Sequence, residues 1–422
     1  MGIASAQEDV YPAKEYKGQL FITNGTIHIG NGQVIDNGTI EINNGKIVNV
    51  SNGPVTPASH AKVVDAKGKQ VYPGLILPSS DLGLKEIGSG VRGSNDVLEL
   101  GDLNPSVRSI VAYNSDSKFI NVLKAQGVLL VGVTPQGGTI SGSSSVVQTD
   151  AWNWEDAAYR MDGGIHLNMP SFFVRPVSRR RPPGLTLAEN PVKQAEDKVA
   201  ELKSFFTQAK AYANETTHAS TNLKLQAVQG LFTKKQKLFV HADQVKQMLV
   251  AIDFANDFGF DVVIVGGSES YQVADLLKQH NISVILGQEH SLPTMEDDDV
   301  DQPYKTPAML QQAGVLFALN DEDGTTRYRN LSYNAGTAVT YGLTKEQALQ
   351  AITLNSAKIL GIDDVTGSIE AGKDANIVIS DGDILDMKSS KVIHAFIQGR
   401  EVSLENKQSQ LYERYKQKYG IK

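Results

Sequence analysis

The chain has 422 residues, a formal charge of −7 and no cysteine. That length admits either two or three average domains or one α/β barrel with an accessory piece. The acidic balance argues against a nucleic-acid-binding face, and the lack of cysteine removes thiolate metal sites and cysteine nucleophiles together. No apolar run approaches the ~18–20 residues that cross a bilayer, so the expected partner is a small-molecule substrate or ligand, with no nucleic acid and no membrane span.

In chain order, residues 1–15 contain Ala4-Ser5-Ala6, a small-x-small pattern like a signal-peptidase site. This stretch is read as a signal-peptide remnant and leader, which gives a periplasmic or secreted location. An irregular start is the other reading. Residues 16–72 carry five Asn-Gly pairs at 24, 31, 37, 44 and 52, between short alternating runs such as Thr39-Ile-Glu-Ile. Asn-Gly supplies the positive φ angles of tight hairpin turns, so a β-meander is expected.

From residue 71 the texture changes. Strand-like runs at 128–133, 238–241, 261–265, 282–286 and 314–319 alternate with amphipathic helical patterns at 244–258 and 270–280. Nearly continuous apolar strands separated by helices predict a parallel sheet covered on both faces. Residues 135–145, rich in Gly and Ser, read as a loop after a strand. Successive backbone N–H groups there could contact a ligand, with Gly137, Gly138 and Ser141 as candidates, or simply turn the chain. The loop has neither a P-loop lysine nor Gly-x-Ser-x-Gly spacing.

Arg179, Arg180, Arg181 and Pro182-Pro183 precede a long polar helix at 190–214, read as an insertion on the rim. Residues 296–301 form an acidic run without calcium-loop spacing. Asn320-Asp-Glu-Asp-Gly follows a strand directly. Its carboxylates could raise one another's pKa and work as an acid–base pair, with Glu322 also a candidate substrate contact, or they could be turn and cap residues. Residues 367–380 and 392–402 return to β texture, and 404–422 read as an appended helix.

Three segments carry a family resemblance. Residues 71–77 (Val-Tyr-Pro-Gly-Leu-Ile-Leu), the helical stretch 336–360 and the β segment 367–380 resemble the amidohydrolase superfamily, particularly its imidazolonepropionase-like and dihydroorotase-like members. The resemblance implies an α/β fold, a distorted (β/α)8 TIM barrel over 73–363 inserted in a small β-sandwich formed by 16–72 and 364–403, and it makes a homo-oligomer a possibility by analogy. In the family, strand 1 reads Pro-Gly-Phe/Leu-Ile-Asp-x-His-x-His and the two histidines bind metal. Here Leu77 stands at the Asp position, and Ser79 and Asp81 stand at the His positions.

Further along, His241 matches the strand 5 histidine and Asp321 the strand 8 aspartate. The strand 6 histidine is replaced by Val265-Gly-Gly-Ser-Glu, and no lysine suits strand 4. In the family a metal ion lowers the pKa of bound water while the Asp takes its proton. Two ligands do not make a closed zinc site. Asp81 and His290 are the available substitutes, giving a degenerate site of Asp81, His241, His290 and Asp321 for one zinc, manganese or iron ion; the alternative is no metal, with His241 and Asp321 making hydrogen bonds at the barrel mouth.

The expected activity is hydrolysis of a C–N bond, other than an ordinary peptide bond, in a small cyclic amide or peptide-like compound, with His241 and Asp321 catalytic. The alternatives are a catalytically inactive binding protein of the same fold and a metal-free acid–base enzyme using Asp321, Glu322 or Asp323.

Overall fold

The structure is a computed structural model that describes residues 10–53, 55–86, 95–172, 190–293, 298–321, 324 and 326–421. Residues 1–9, which hold the small-x-small motif, the arginines at 179–181, and Glu322 and Asp323 lie outside the described residues.

Two sheets organise the chain. The first collects strands from both ends: β1 (Gln19–His28), β2 (Val34–Asn43), β3 (Lys46–Asn52), β4 (Lys62–Asp65) and β5 (Gln70–Pro73) join β14 (Ile377–Ser380), β15 (Val392–Ile397) and β16 (Arg400–Glu401). Its order is β16-β15-β14-β5-β1-β2-β3, with β4 beside β1. The hairpin β2-β3 folds back so that the Ile47 N–H donates to the Lys373 carbonyl and the Ala375 N–H to the Gly45 carbonyl. The sheet thereby wraps its own core of Leu20, Ile22, Ile40, Ile42, Ile377 and Phe396.

Asn44 and Gly45, both at positive φ, make the two-residue turn of that hairpin, as Asn-Gly chemistry requires. Asn24-Gly25 and Asn37-Gly38, expected as turns, lie inside β1 and β2. The register slips at Gly25, so these pairs form bulges.

The second sheet runs β6 (Leu75–Ser80), β7 (Val128–Val133), β8 (Ile140–Gln148), β9 (Ala158–Asn168), β10 (Lys237–Ala242), β11 (Val262–Gly266), β12 (Ser283–Leu286) and β13 (Phe317–Leu319), each bonded to the next. It curls until β13 approaches β6, where the Ser79 N–H donates to the Asn320 side chain at 3.3 Å. Ile76, Leu130, Val146, Phe239, Val263, Val265, Ile285 and Ala318 fill the interior. The fold is the distorted (β/α)8 barrel with its β domain, and the distortion is now specific: β8 is antiparallel to both β7 and β9. Much of the expected Gly/Ser loop is therefore strand, and all nine residues of β8 are buried.

The long helix Pro191–Asn214 also departs from expectation. Asn190 caps it and Pro191 opens it, a favoured start. It is not an appendage. It connects β9 to β10 and covers the barrel, with Phe206 fully buried among Phe205, Phe254, Phe258 and Phe260 at ring separations of 5.2–5.7 Å. A polar average hid this face, because its apolar residues recur at 202, 205, 206, 209 and 212 on one stripe.

The helix Leu354–Leu360 closes the N-terminal end of the barrel. Lys237 Nζ donates to the carbonyls of Lys358 and Ile359 (2.9 and 2.8 Å), and Asn355 donates to that of Phe317 at 2.9 Å. With that helix across the N-terminal end, the expected place for a site is the C-terminal ends of the strands. If the long helix is part of the barrel wall, Phe206→Ala should destabilise the protein by about 3–5 kcal/mol in urea unfolding. A peripheral insertion would lose less than about 1 kcal/mol.

Candidate active site

A cavity of about 450 Å³ opens at the C-terminal ends of β6, β7, β9 and β10. Ser79, Asp81, Thr134, Gln136, Asn168 and His241 line it, with Tyr328 and Gly137. Each arrives by strand geometry. Phe239 points into the barrel, so His241, two residues on, faces the same way. In β6 the pairing with β7 slips between Leu77 and Ser80, and this irregularity turns residues 79–81 into the mouth.

The polar contacts are specific. The Tyr328 hydroxyl donates to Asp81 Oδ1 at 2.6 Å and accepts the Asp81 backbone N–H at 3.2 Å. Ser79 and Thr134 share a hydroxyl hydrogen bond of 3.3 Å. Asn168 donates to the Gly138 carbonyl (2.8 Å) and to Ser141 Oγ (3.0 Å). Gly137 lines the cavity, and Ser141, at the start of β8, braces Asn168 from behind. The backbone and hydroxyl of Thr139 already bind the Asp102 carboxylate, so a group of the chain's own occupies donors of the expected anion nest.

His166, which the sequence reading passed over, pairs with His241: Nδ1 of His166 lies 2.9 Å from Nε2 of His241. It stacks on Phe239 with ring centres 4.9 Å apart, and its Nε2 has no hydrogen-bond partner among the described residues. A buried N–H without an acceptor is rarer than a lone pair without a donor. The proton therefore belongs on Nδ1 of His166, donated to His241, which leaves His241 with its own N–H on Nδ1. Alternation in residues 164–168 (Gly-Ile-His-Leu-Asn) was the available signal, since Gly164, His166 and Asn168 share a face.

Burial lowers the pKa of His241 to about 4, and burial with the nearby His241 drives His166 well below its ordinary value. Both rings are neutral near pH 7. In the unfolded chain they titrate near 6.5, so between about 6.5 and 4 the unfolded state takes up protons that the folded state does not. Stability therefore falls as pH falls through that window. The melting temperature should drop between pH 7 and pH 4.5, and His166→Gln combined with His241→Gln should flatten that slope. An unchanged slope would show that these rings carry none of the linkage.

A sequence profile of the Amidohydrolase family matches residues 185–402, about half of the chain. The chain belongs to the amidohydrolase family. Amidohydrolase tasK of Hapsidospora irregularis is 22% identical over 366 residues, covering 79% of this chain and 36% of that protein. An imidazolonepropionase of Flavobacterium psychrophilum is 37% identical over 81 residues, 18% of this chain and 20% of that one. The chain thus spans about a third and a fifth of these curated relatives. The crystal structure of an amidohydrolase from Thermotoga maritima aligns over 91% of this chain and 99% of its own, at 27% identity and a TM-score of 0.76.

The residues present do not fit the divalent-metal site usual in amidohydrolases. Among the described residues no three His, Asp or Glu side chains group so as to hold an ion. Of the four expected ligands, only Asp81 and His241 share the cavity. Asp321 is fully buried and accepts from Asn334 Nδ2 at 3.2 Å. His290 is exposed, with Nε2 on the Thr337 hydroxyl at 2.8 Å and its ring edge-on to Tyr304. β11 ends on Gly266. Glu289, beside His290, is the residue that turns inward: it is 2% exposed.

Proposed function

We propose that this amidohydrolase hydrolyses a C–N bond in a small amide-containing compound, with the mouth cavity as its active site. The observation that supports this is one carboxylate and one neutral imidazole facing the same 450 Å³ space, a size suited to a small molecule. In this reading the substrate carbonyl lies between them. Asp81, oriented by Tyr328, accepts a proton from water as its oxygen attacks the carbonyl carbon. The imidazole N–H of His241 hydrogen-bonds the developing oxyanion. The C–N bond then breaks, and the proton held by Asp81 passes to the departing nitrogen, giving a carboxylic acid and an amine. His166 acts on His241 by fixing its tautomer. Asp321 positions the loop after β13 through Asn334 and is not assigned a proton transfer.

A panel of lactams, hydantoins and dipeptides tests this. Asp81→Asn and His241→Ala should each lower kcat by about 100-fold or more with melting temperatures close to the parent's, while His290→Ala should leave turnover unchanged. Equal turnover in Asp81→Asn would remove the assignment. Metal content, measured by mass spectrometry on protein purified without chelator, is expected to be far below one equivalent. A full equivalent lost in His241→Ala would restore a metal-dependent mechanism. The donor set favours a second reading, a binding protein that kept the pocket and lost turnover. It predicts ligand-dependent melting shifts with no hydrolysis of any panel member.

A further inference from the structure

A second cavity, of about 50 Å³, lies farther round the same rim at the ends of β11 and β12, lined by Gly266, Ser268, Gln288, Glu289, Asp298 and Gln302 among others. Its wall holds an uncompensated carboxyl group. Glu289 is 2% exposed, and among the described residues neither of its carboxyl oxygens has a hydrogen-bond partner; Gln288 Oε1 is buried without one as well. Buried polar atoms are nearly always paired, so three unmatched oxygens around one small space call for an explanation. The cavity lining contains no lysine or arginine and adds a second acidic residue, Asp298. Burial alone pushes the Glu289 carboxyl well above the usual carboxylate range.

We propose that this cavity is a recognition subsite for a small organic cation, a guanidinium or primary ammonium head, at one end of the substrate. With Glu289 ionised, every unmatched atom is an oxygen that accepts an N–H, and a ligand that is both rich in N–H and positively charged fills them and offsets the carboxylate charge. On its arrival Glu289 releases its proton to solvent and makes charge-assisted hydrogen bonds, strong here because water is excluded. The volume admits a head group and little more. His241 sits on β10 and Glu289 follows β12, two strands away, so the two subsites lie ~10 Å apart at ordinary strand spacing. That separation suits a substrate of about dipeptide size, its cation against Glu289 and its amide between Asp81 and His241. The spanning arrangement rests on the hydrolase reading, whereas cation binding does not.

Titration calorimetry on the full chain at pH 8, with chelator present, separates the two. Methylguanidinium and propylammonium serve as cationic probes and acetamide as the neutral one. Both cations should bind, acetamide should bind at least about tenfold more weakly, and Glu289→Gln should weaken the cations by about tenfold or more. Gln288→Leu should weaken them as well, which covers the case in which Glu289→Gln misfolds. Asp81→Asn should bind the cations like the parent. No binding of either cation, equal binding by Glu289→Gln and Gln288→Leu, or preference for acetamide would overturn the proposal. Cation binding without turnover of any panel member would leave the subsite standing and remove only the hydrolase reading.

Discussion

A single extended run, Gln70–Pro73 followed by Leu75–Ser80, belongs to both sheets, and the rest of the architecture is hung on it. The first half pairs with β1 and β14, the second with β7. The joint is Gly74, whose N–H is held by the Asn376 carbonyl at 2.8 Å and whose site would place a Cβ 2.7 Å from Leu129 Cδ1. Because the chain does not turn there, the register set in the β domain dictates which residues reach the barrel mouth. A buried ion network makes a second tie. Asp150 takes Lys124 at 2.8 Å and Arg400 at 3.3 Å, and Arg400 also holds the Ala13 carbonyl at 2.8 Å. Removing one partner from such a network strands a buried charge, the costly way to break it.

These ties have a functional consequence. With Leu354–Leu360 packed across one end of the barrel and an aliphatic interior behind it, the cavity that holds Asp81 and His241 is built at the opposite rim. The histidines there are governed by burial: two neutral rings joined by one hydrogen bond form a fixed donor rather than a proton reservoir near neutral pH. Asp81 differs, because its oxygen is engaged by a phenol and its backbone N–H by the same phenol, which sets its orientation without a cation.

The framework is that of the amidohydrolase family, and among the described residues no three His, Asp or Glu side chains group so as to hold an ion. Ser79 and Asp81 stand where the strand 1 histidines would be, and Gly266 ends the strand that would carry another. The rim carries a histidine on β9, a tyrosine over the strand 1 carboxylate and a glutamate after β12 without a hydrogen-bond partner among the described residues. All three are suited to hydrogen bonding and charge recognition.

The sequence by itself determined the barrel strands other than β8 and β9, the meander and the helical stretch that holds Lys345–Ala351, where Thr344 and Gln347 form a reciprocal capping pair. Those features rest on local periodicity and turn chemistry. Through the family motif it also named Asp81 and His241, which the fold brings to one cavity. Strand direction was not local: β8 reads as a Gly/Ser loop because serines tolerate either state, and only pairing with both neighbours made it a buried antiparallel strand. His290 and Glu289 show the same limit at the site. Adjacent residues on an irregular segment give no period from which to tell inward from outward, so the titratable histidine looked like the ligand. Packing turned it to solvent and buried the glutamate. The pairing of His166 with His241 joins residues 75 positions apart, and only closing the sheet brings them within reach of one proton.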